Sequence, residues 1–280
     1  MAEFIIVFRE VLEASLVVGI IYLLIEKTNQ TTHFTKLWYG VFASIMASIA
    51  VGYLVIQAKN ALGNNSTQAL FEAVFLYLTA FLIWYVIFWL SKNVSDKKVL
   101  EGQALNAMEL SSWGIFFVVF FAILREGFET AIFLISSFSI TGTFSYIGFI
   151  SGAALAILIG YLIVSQGRKI NLKSVFKYTT LLLVFLSAGM IAYGTHEAEE
   201  YLVKSNQMDK SEIHRVWDIL EPTKSAETGT TIYHPLHDKG SIGLFLKGFF
   251  GYNSNPNTLE VILWFFAMIF GLNMWRRFYF

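Results

Sequence analysis

Cysteine is absent from all 280 residues, which excludes disulfides, thiolate metal sites and iron–sulfur clusters. Any metal bound by this chain must be held by oxygen or imidazole. Charge is scarce as well: charged side chains fill 14% of positions against 56% for hydrophobic ones, and mean hydropathy is +0.59. A water-soluble globule with this balance would lack polar surface, so the expected solvent is a lipid bilayer. The formal net charge is zero, leaving no overall field to attract nucleic acid. No low-complexity linker marks off a second domain, and residues 1–280 are expected to form a single transmembrane domain. A cleavable secretory signal is not expected, because Arg9, Glu10 and Glu13 interrupt the first apolar stretch and no small-residue cleavage site follows. The amino terminus is therefore expected to stay in the mature protein.

What the chain does have is apolar runs of bilayer length. About 20 mostly apolar residues are needed to cross roughly 30 Å of hydrocarbon. Such runs lie near 4–25, 37–57, 70–91, 113–135, 145–164, 179–201 and 258–275, predicting an all-α polytopic membrane protein with seven transmembrane helices. Eleven basic residues fall in the connections of one face: Lys27, Lys36, Lys92, Lys97, Lys98, Arg168, Lys169, Lys173, Lys177, Arg276 and Arg277. The short loops of the other face hold only Lys59. The positive-inside rule then puts the amino terminus outside and the carboxyl terminus in the cytoplasm of a plasma or inner membrane.

The segment FREVLEASLVVG aligns with LREGFETAIFLI, setting Arg9, Glu10 and Glu13 on Arg125, Glu126 and Glu129 at one offset of 116. Under the expected topology the two copies run in opposite directions. This predicts a 3+3 inverted repeat, about 1–95 and about 110–201, followed by an outer loop at 202–257 and a seventh helix at 258–275. Ala43 with Ala47, and Gly148 with Gly152, are small-xxx-small pairs expected to serve helix packing. In the outer loop, Asp209 and Glu212 have capping-box spacing ahead of Ile213, Val216, Trp217 and Leu220, predicting a short interfacial helix that ends before Pro222. The apolar stretch from Ile242 to Phe250 is too short to span and is expected to be interfacial or re-entrant.

Ionisable groups inside a bilayer are costly and need partners or a water-filled cavity. Helical spacing puts Glu10 with Glu13, and Glu126 with Glu129, on shared faces as two carboxylate pairs. Glu13 lies about 13–14 Å below Phe4 at 1.5 Å per residue, near mid-bilayer. Four carboxylates against Arg9 and Arg125 leave a surplus of negative charge if all ionise, more than simple adhesion between helices would require. A hard cation held by oxygens, or protons, would balance it. At the outer end of the sixth span, His196, Glu197, Glu199 and Glu200 crowd together. His196, Glu197 and Glu200, with Glu72 and Glu260 at the outer starts of other spans, are candidate metal-handling residues of an entrance, whereas Glu199 reads as a solvated helix end. His234, His237 and Asp238 read as polar loop surface.

With these motifs the chain resembles the oxidase-dependent iron permease family, which includes fungal high-affinity iron permeases and the bacterial Efe-system permease. The resemblance runs almost end to end. It rests on the doubled R-E-x-x-E, here REVLE at 9–13 and REGFE at 125–129, on Glu72, on AYGTHEAEE, and on GYNSNPNTLEV. Val11 departs from the usual glycine, Phe128 from the usual leucine and Asn257 from the usual serine, while all six charged positions are kept. The resemblance implies seven spans, iron as transported substrate in its ferrous or ferric form, no resident cofactor, and the motif glutamates as ligands. It also implies delivery by a ferroxidase or a periplasmic partner protein. A permease for manganese or lead would use a similar donor set, and a proton-coupled carrier of another solute also uses buried carboxylates. A membrane-embedded metalloenzyme is suggested only by His196-Glu197, which begins like a zinc motif whose second histidine is replaced by Glu200.

Overall fold

Inside hydrocarbon no water is present to bond backbone amides, so long apolar runs close their hydrogen bonds internally as helices. The structure, a computed structural model, describes residues 2–93, 97–111, 113–166, 172–218, 220, 222–224 and 231–279. Nine α-helices occur among them: α1 (Ala2–Lys27), α2 (His33–Asn60), α3 (Asn65–Asn93), α4 (Lys97–Leu110), α5 (Gly114–Thr141), α6 (Tyr146–Gln166), α7 (Leu172–Lys204), α8 (Ser241–Phe250) and α9 (Thr258–Tyr279). The only strands among the described residues are β1 (Thr223–Lys224) and β2 (Thr231–Ile232), which pair antiparallel in the segment between α7 and α8.

Five of these helices, α2, α3, α6, α7 and α9, are long and apolar enough to cross a membrane. The helices α1 and α5 have 26 and 28 residues, about 40 Å at 1.5 Å per residue, but each carries three charged groups mid-helix. The expected apolar runs fall on α1, α2, α3, α5, α6, α7 and α9, whose ends differ from the expected ones by up to seven residues. One connection between the expected runs is not a plain loop. The connection at 92–112 contains α4, which buries Ala104 and Met108 against α1, α2 and α5. The stretch from Ile242 to Phe250 forms α8, packed on α7. Arg168 and Lys169, counted in the charge asymmetry, lie outside the described residues.

The expected helix after Asp209 does not form. Asp209 accepts a hydrogen bond from Ser211 N–H at 3.3 Å, but the turn it caps is a single 3-10 turn, Lys210–Glu212. Beyond it the chain runs beside residues 256–258. Val216 N–H donates to the Pro256 carbonyl at 2.9 Å, and Thr258 N–H donates to the His214 carbonyl at 3.0 Å. Lateral pairing takes up backbone groups that a helix would have used, and β-branched Ile213 and Val216 suit extended chain.

Packing places the two charged helices at the centre. The helix α1 packs on α6 and α5, α2 packs on α5, and α3 packs on α7, which also supports α9. Ala2 and Ile6 share a buried cluster with Phe133 and Ile140, while Ile21 and Ile25 share another with Ile115, Val119 and Ile123. The start of α1 therefore meets the end of α5 and the reverse, so the two helices are antiparallel. Gly152 fits a packing role: a Cβ there would sit 2.6 Å from the Phe4 carbonyl oxygen. Gly251 closes α8 with φ of 67° and lies against the backbone of Gly189 on α7, where any side chain would collide.

Candidate metal centre

The first turns of α1 set Arg9, Glu10 and Glu13 on the side turned to α5. One carboxylate oxygen each from Glu10, Glu13 and Glu126 falls within 4.8 Å of the others, close enough for all three to hold one metal ion. Hard cations bind oxygens at about 2.0–2.6 Å, so ligands around one ion lie within roughly twice that distance of each other. Side-chain exposure is 0% for Glu10, 11% for Glu13 and 10% for Glu126. Apolar residues close the site one turn away along both helices, with Ile6 and Leu16 on α1 and Ile123 and Phe133 on α5. Such surroundings strengthen every charge interaction within them.

Arg9 is 1% exposed, forms an ion pair with Glu10, and meets Glu13 Oε1 at 2.9 Å. Arg125 donates from Nε to Glu129 Oε1 at 3.1 Å and stands 3.8 Å from Glu126 Oε1. Glu129 is outside the three-carboxylate set and is held toward its own arginine. Glu10 Oε2, Glu126 Oε2 and Glu129 Oε2 are all buried without a hydrogen-bond partner. Leaving an ionised oxygen unsatisfied in a dry interior is costly. Two of these oxygens belong to Glu10 and Glu126 of the three-carboxylate set, where unpartnered buried oxygens suit a cation.

The residues expected at the entrance gather less completely. His196 Nδ1 lies 2.9 Å from Glu260 Oε1, joining the end of α7 to the start of α9. Glu72 instead pairs with Lys59 at 2.7 Å, and Glu200 pairs with Lys204 at 2.7 Å, one turn along α7. Glu197 is half-buried and makes no ion pair or side-chain hydrogen bond among the described residues. Glu199 corrects the expectation of a solvated helix end. It is 7% exposed and accepts a hydrogen bond from Asn257 Nδ2, because the loop before α9 folds over it. Asn253 and Asn257, which hold Glu260, were not among the expected site residues; their only sequence signal was their place within GYNSNPNTLEV. His237 and Asp238 are tucked under the loop, where Asp238 meets Lys247 Nζ at 3.3 Å and accepts from Ser254 Oγ at 3.2 Å.

Known proteins resemble this sequence along nearly the whole chain. A family model described as "Iron permease FTR1 family" matches residues 1–276. The chain is 31% identical to the ferrous iron permease EfeU of Yersinia pestis over 274 residues, 95% of this chain and 89% of that protein. It is 27% identical to the ferrous iron permease EfeU of Escherichia coli O6:K15:H31 (strain 536 / UPEC), covering 95% of this chain and 91% of the relative. An uncharacterized protein of Archaeoglobus fulgidus is 31% identical over 264 residues, 94% of this chain and 90% of its own length. No solved structure matches the chain.

Proposed function

This chain belongs to the FTR1 iron permease family, and from that premise we propose that it carries iron across a membrane through the carboxylates shared by α1 and α5. It is an integral membrane protein of a permease family rather than an enzyme, so the partial zinc-like motif at His196-Glu197 carries no catalytic reading. The convergence of Glu10, Glu13 and Glu126 from two antiparallel helices, with unpartnered buried oxygens, supports the central site most directly. Glu129 joins the set when Arg125 releases it. Arg9 and Arg125 hold the empty cluster nearer neutrality, so that it does not fill with protons. His196, Glu197, Glu200, Glu72 and Glu260 form the approach to it. The relatives are named ferrous iron permeases, which favours Fe2+ over Fe3+ as substrate.

In this reading α1, α2, α3, α5, α6, α7 and α9 are seven spans in a 3+3 inverted repeat plus one. The packing supports it: exchanging α1, α2 and α3 for α5, α6 and α7 turns the α1–α6 contact into the α5–α2 contact and leaves α1–α5 and α3–α7 unchanged. The amino terminus faces outward, the carboxyl terminus faces the cytoplasm, and a ferroxidase or periplasmic partner supplies iron at the outer face. Single cysteines introduced at Lys97 and Thr223 test the orientation in this cysteine-free chain. Only the second is expected to react with an impermeant reagent in intact cells, and equal labelling would reject it.

Radioactive iron uptake into reconstituted vesicles, under reducing and oxidising conditions, tests the transport reading. Glu10→Gln and Glu126→Gln each keep size while removing a ligand charge, and are expected to cut uptake by about tenfold or more through lost binding. Uptake unaffected by both substitutions would discard the central site. Preference for manganese or lead over iron would reassign the substrate, and metal-independent proton flux would point to another solute.

A further inference from the structure

Glu260 was expected among the entrance ligands, yet its carboxylate is already engaged. It is 3% exposed; Oε1 accepts from Asn257 Nδ2 at 2.7 Å and meets His196 Nδ1 at 2.9 Å, while Oε2 accepts from Asn253 Nδ2 at 2.9 Å. The Glu260 N–H donates to Asn257 Oδ1 at 2.8 Å, which fixes the amide's orientation and with it the side of the carboxylate that Asn257 serves. An ionised carboxylate only accepts hydrogen bonds, so the proton between the two side chains resides on His196 Nδ1. In the neutral ring Nε2 then carries the lone pair. The His196 side chain is 44% exposed and its Nδ1 edge rests on covered Glu260, so the open edge of the ring is the Nε2 edge. Glu197, the next residue, has no partner of its own among the described residues.

A carboxylate bonded to one ring nitrogen is how metal-binding histidines are commonly oriented and made more basic at the other. We propose that His196 Nε2 is the outer donor for a divalent cation, and that Glu260, clamped by Asn253 and Asn257, is a positioning residue that fixes this tautomer rather than a ligand. The assignment rests on the iron-transport reading for its choice of cation, since imidazole suits Fe2+ and related ions better than hard trivalent ones. The segment between α8 and α9 then holds the start of α9 so that a histidine on α7 points its free nitrogen outward.

Cobalt(II) titration of the purified full chain in detergent, followed by visible absorption sensitive to nitrogen ligation, tests this. A Glu10→Gln, Glu126→Gln background removes competition from the central cluster. His196→Ala and Glu260→Ala are each expected to weaken Co2+ binding about 10–100-fold. Glu260→Gln should do less, because its amide oxygen can still accept from Nδ1–H. The His196→Ala, Glu260→Ala pair should bind no more weakly than the weaker single variant, as residues acting through one another do. Unchanged affinity in Glu260→Ala, or a double loss equal to the product of the single losses, would overturn the assignment, the latter by making Glu260 a ligand in its own right. If Glu260→Ala does not run as a folded species on size exclusion, Glu260→Gln and Asn253→Ala carry the test, with weaker binding that vanishes as an effect once His196 is replaced. A wild-type protein that shows this pattern but moves no iron would refute the transport reading and leave the assignment standing.

Discussion

The two copies of R-E-x-x-E carry the same six charged positions and live in different surroundings. In α1 the arginine side chain is 1% exposed and its neighbouring glutamate 0%, whereas in α5 the corresponding values are 41% and 10%. Val11 of the first copy packs among Leu12, Leu16 and Ala156 of α6. Gly127 of the second copy lets Ser48 of α2 approach where a Cβ would collide. The duplicated motif is thus buried unequally: both copies hold the second glutamate to the arginine, Glu13 to Arg9 at 2.9 Å and Glu129 to Arg125 at 3.1 Å, but the α1 copy is sealed while the α5 copy leaves its arginine partly exposed.

The sharpest way to break this comparison is to remove each arginine. Arg9→Ala leaves Glu10 buried and uncompensated, and breaking a buried pair this way costs about 3–5 kcal/mol. Thermal unfolding in detergent should show a marked loss of stability or no folded protein at all. Arg125→Ala should fold, because Arg125 is itself partly exposed and Arg9 remains in the cluster, and should retain metal while losing turnover as the cluster holds its ion too tightly. Equal destabilisation by the two substitutions would erase the asymmetry.

A smaller difference is expected among the glutamates. Glu129 lies outside the three-carboxylate set, so Glu129→Gln should weaken equilibrium metal binding less than Glu13→Gln does, by several-fold or more, while still slowing uptake. Isothermal titration with Mn2+ alongside uptake rates would separate these effects, and identical binding losses would place Glu129 in the resting ligand set. The smallest effects concern the middle of each motif. Gly127→Val, which makes the second copy resemble the first, forces Ser48 away and should cost about 1–3 kcal/mol by overpacking. Val11→Gly should cost a similar amount by a different route, through helix propensity and lost packing against α6. A neutral Gly127→Val would mean that α2 and α5 are free to separate there.

Much of the fold was legible in the chain's own pattern. Apolar length located the long helices, five of which are long and apolar enough to cross a membrane. The doubled motif pointed to α1 and α5, where three of its four glutamates come together. Local signals failed where the chain is extramembrane and the competing bonds are distant in sequence. The capping spacing at Asp209 was real, but residues 256–258 captured the backbone beyond it. Glu199 looked solvated because the loop that covers it lies nearly sixty positions later.

Solvent class, the places of the long apolar helices, the charge surplus and the family pattern were therefore determined by the sequence itself, for each depends on composition or on spacing along one helix. Tertiary structure alone decided which three of the four motif glutamates converge, which arginine is sealed, and that Glu260 bonds His196 instead of facing outward. Those outcomes depend on how α1 meets α5 and how α9 meets α7. Contacts between helices are set by packing of side chains far apart in the chain, and no periodicity within either helix encodes them.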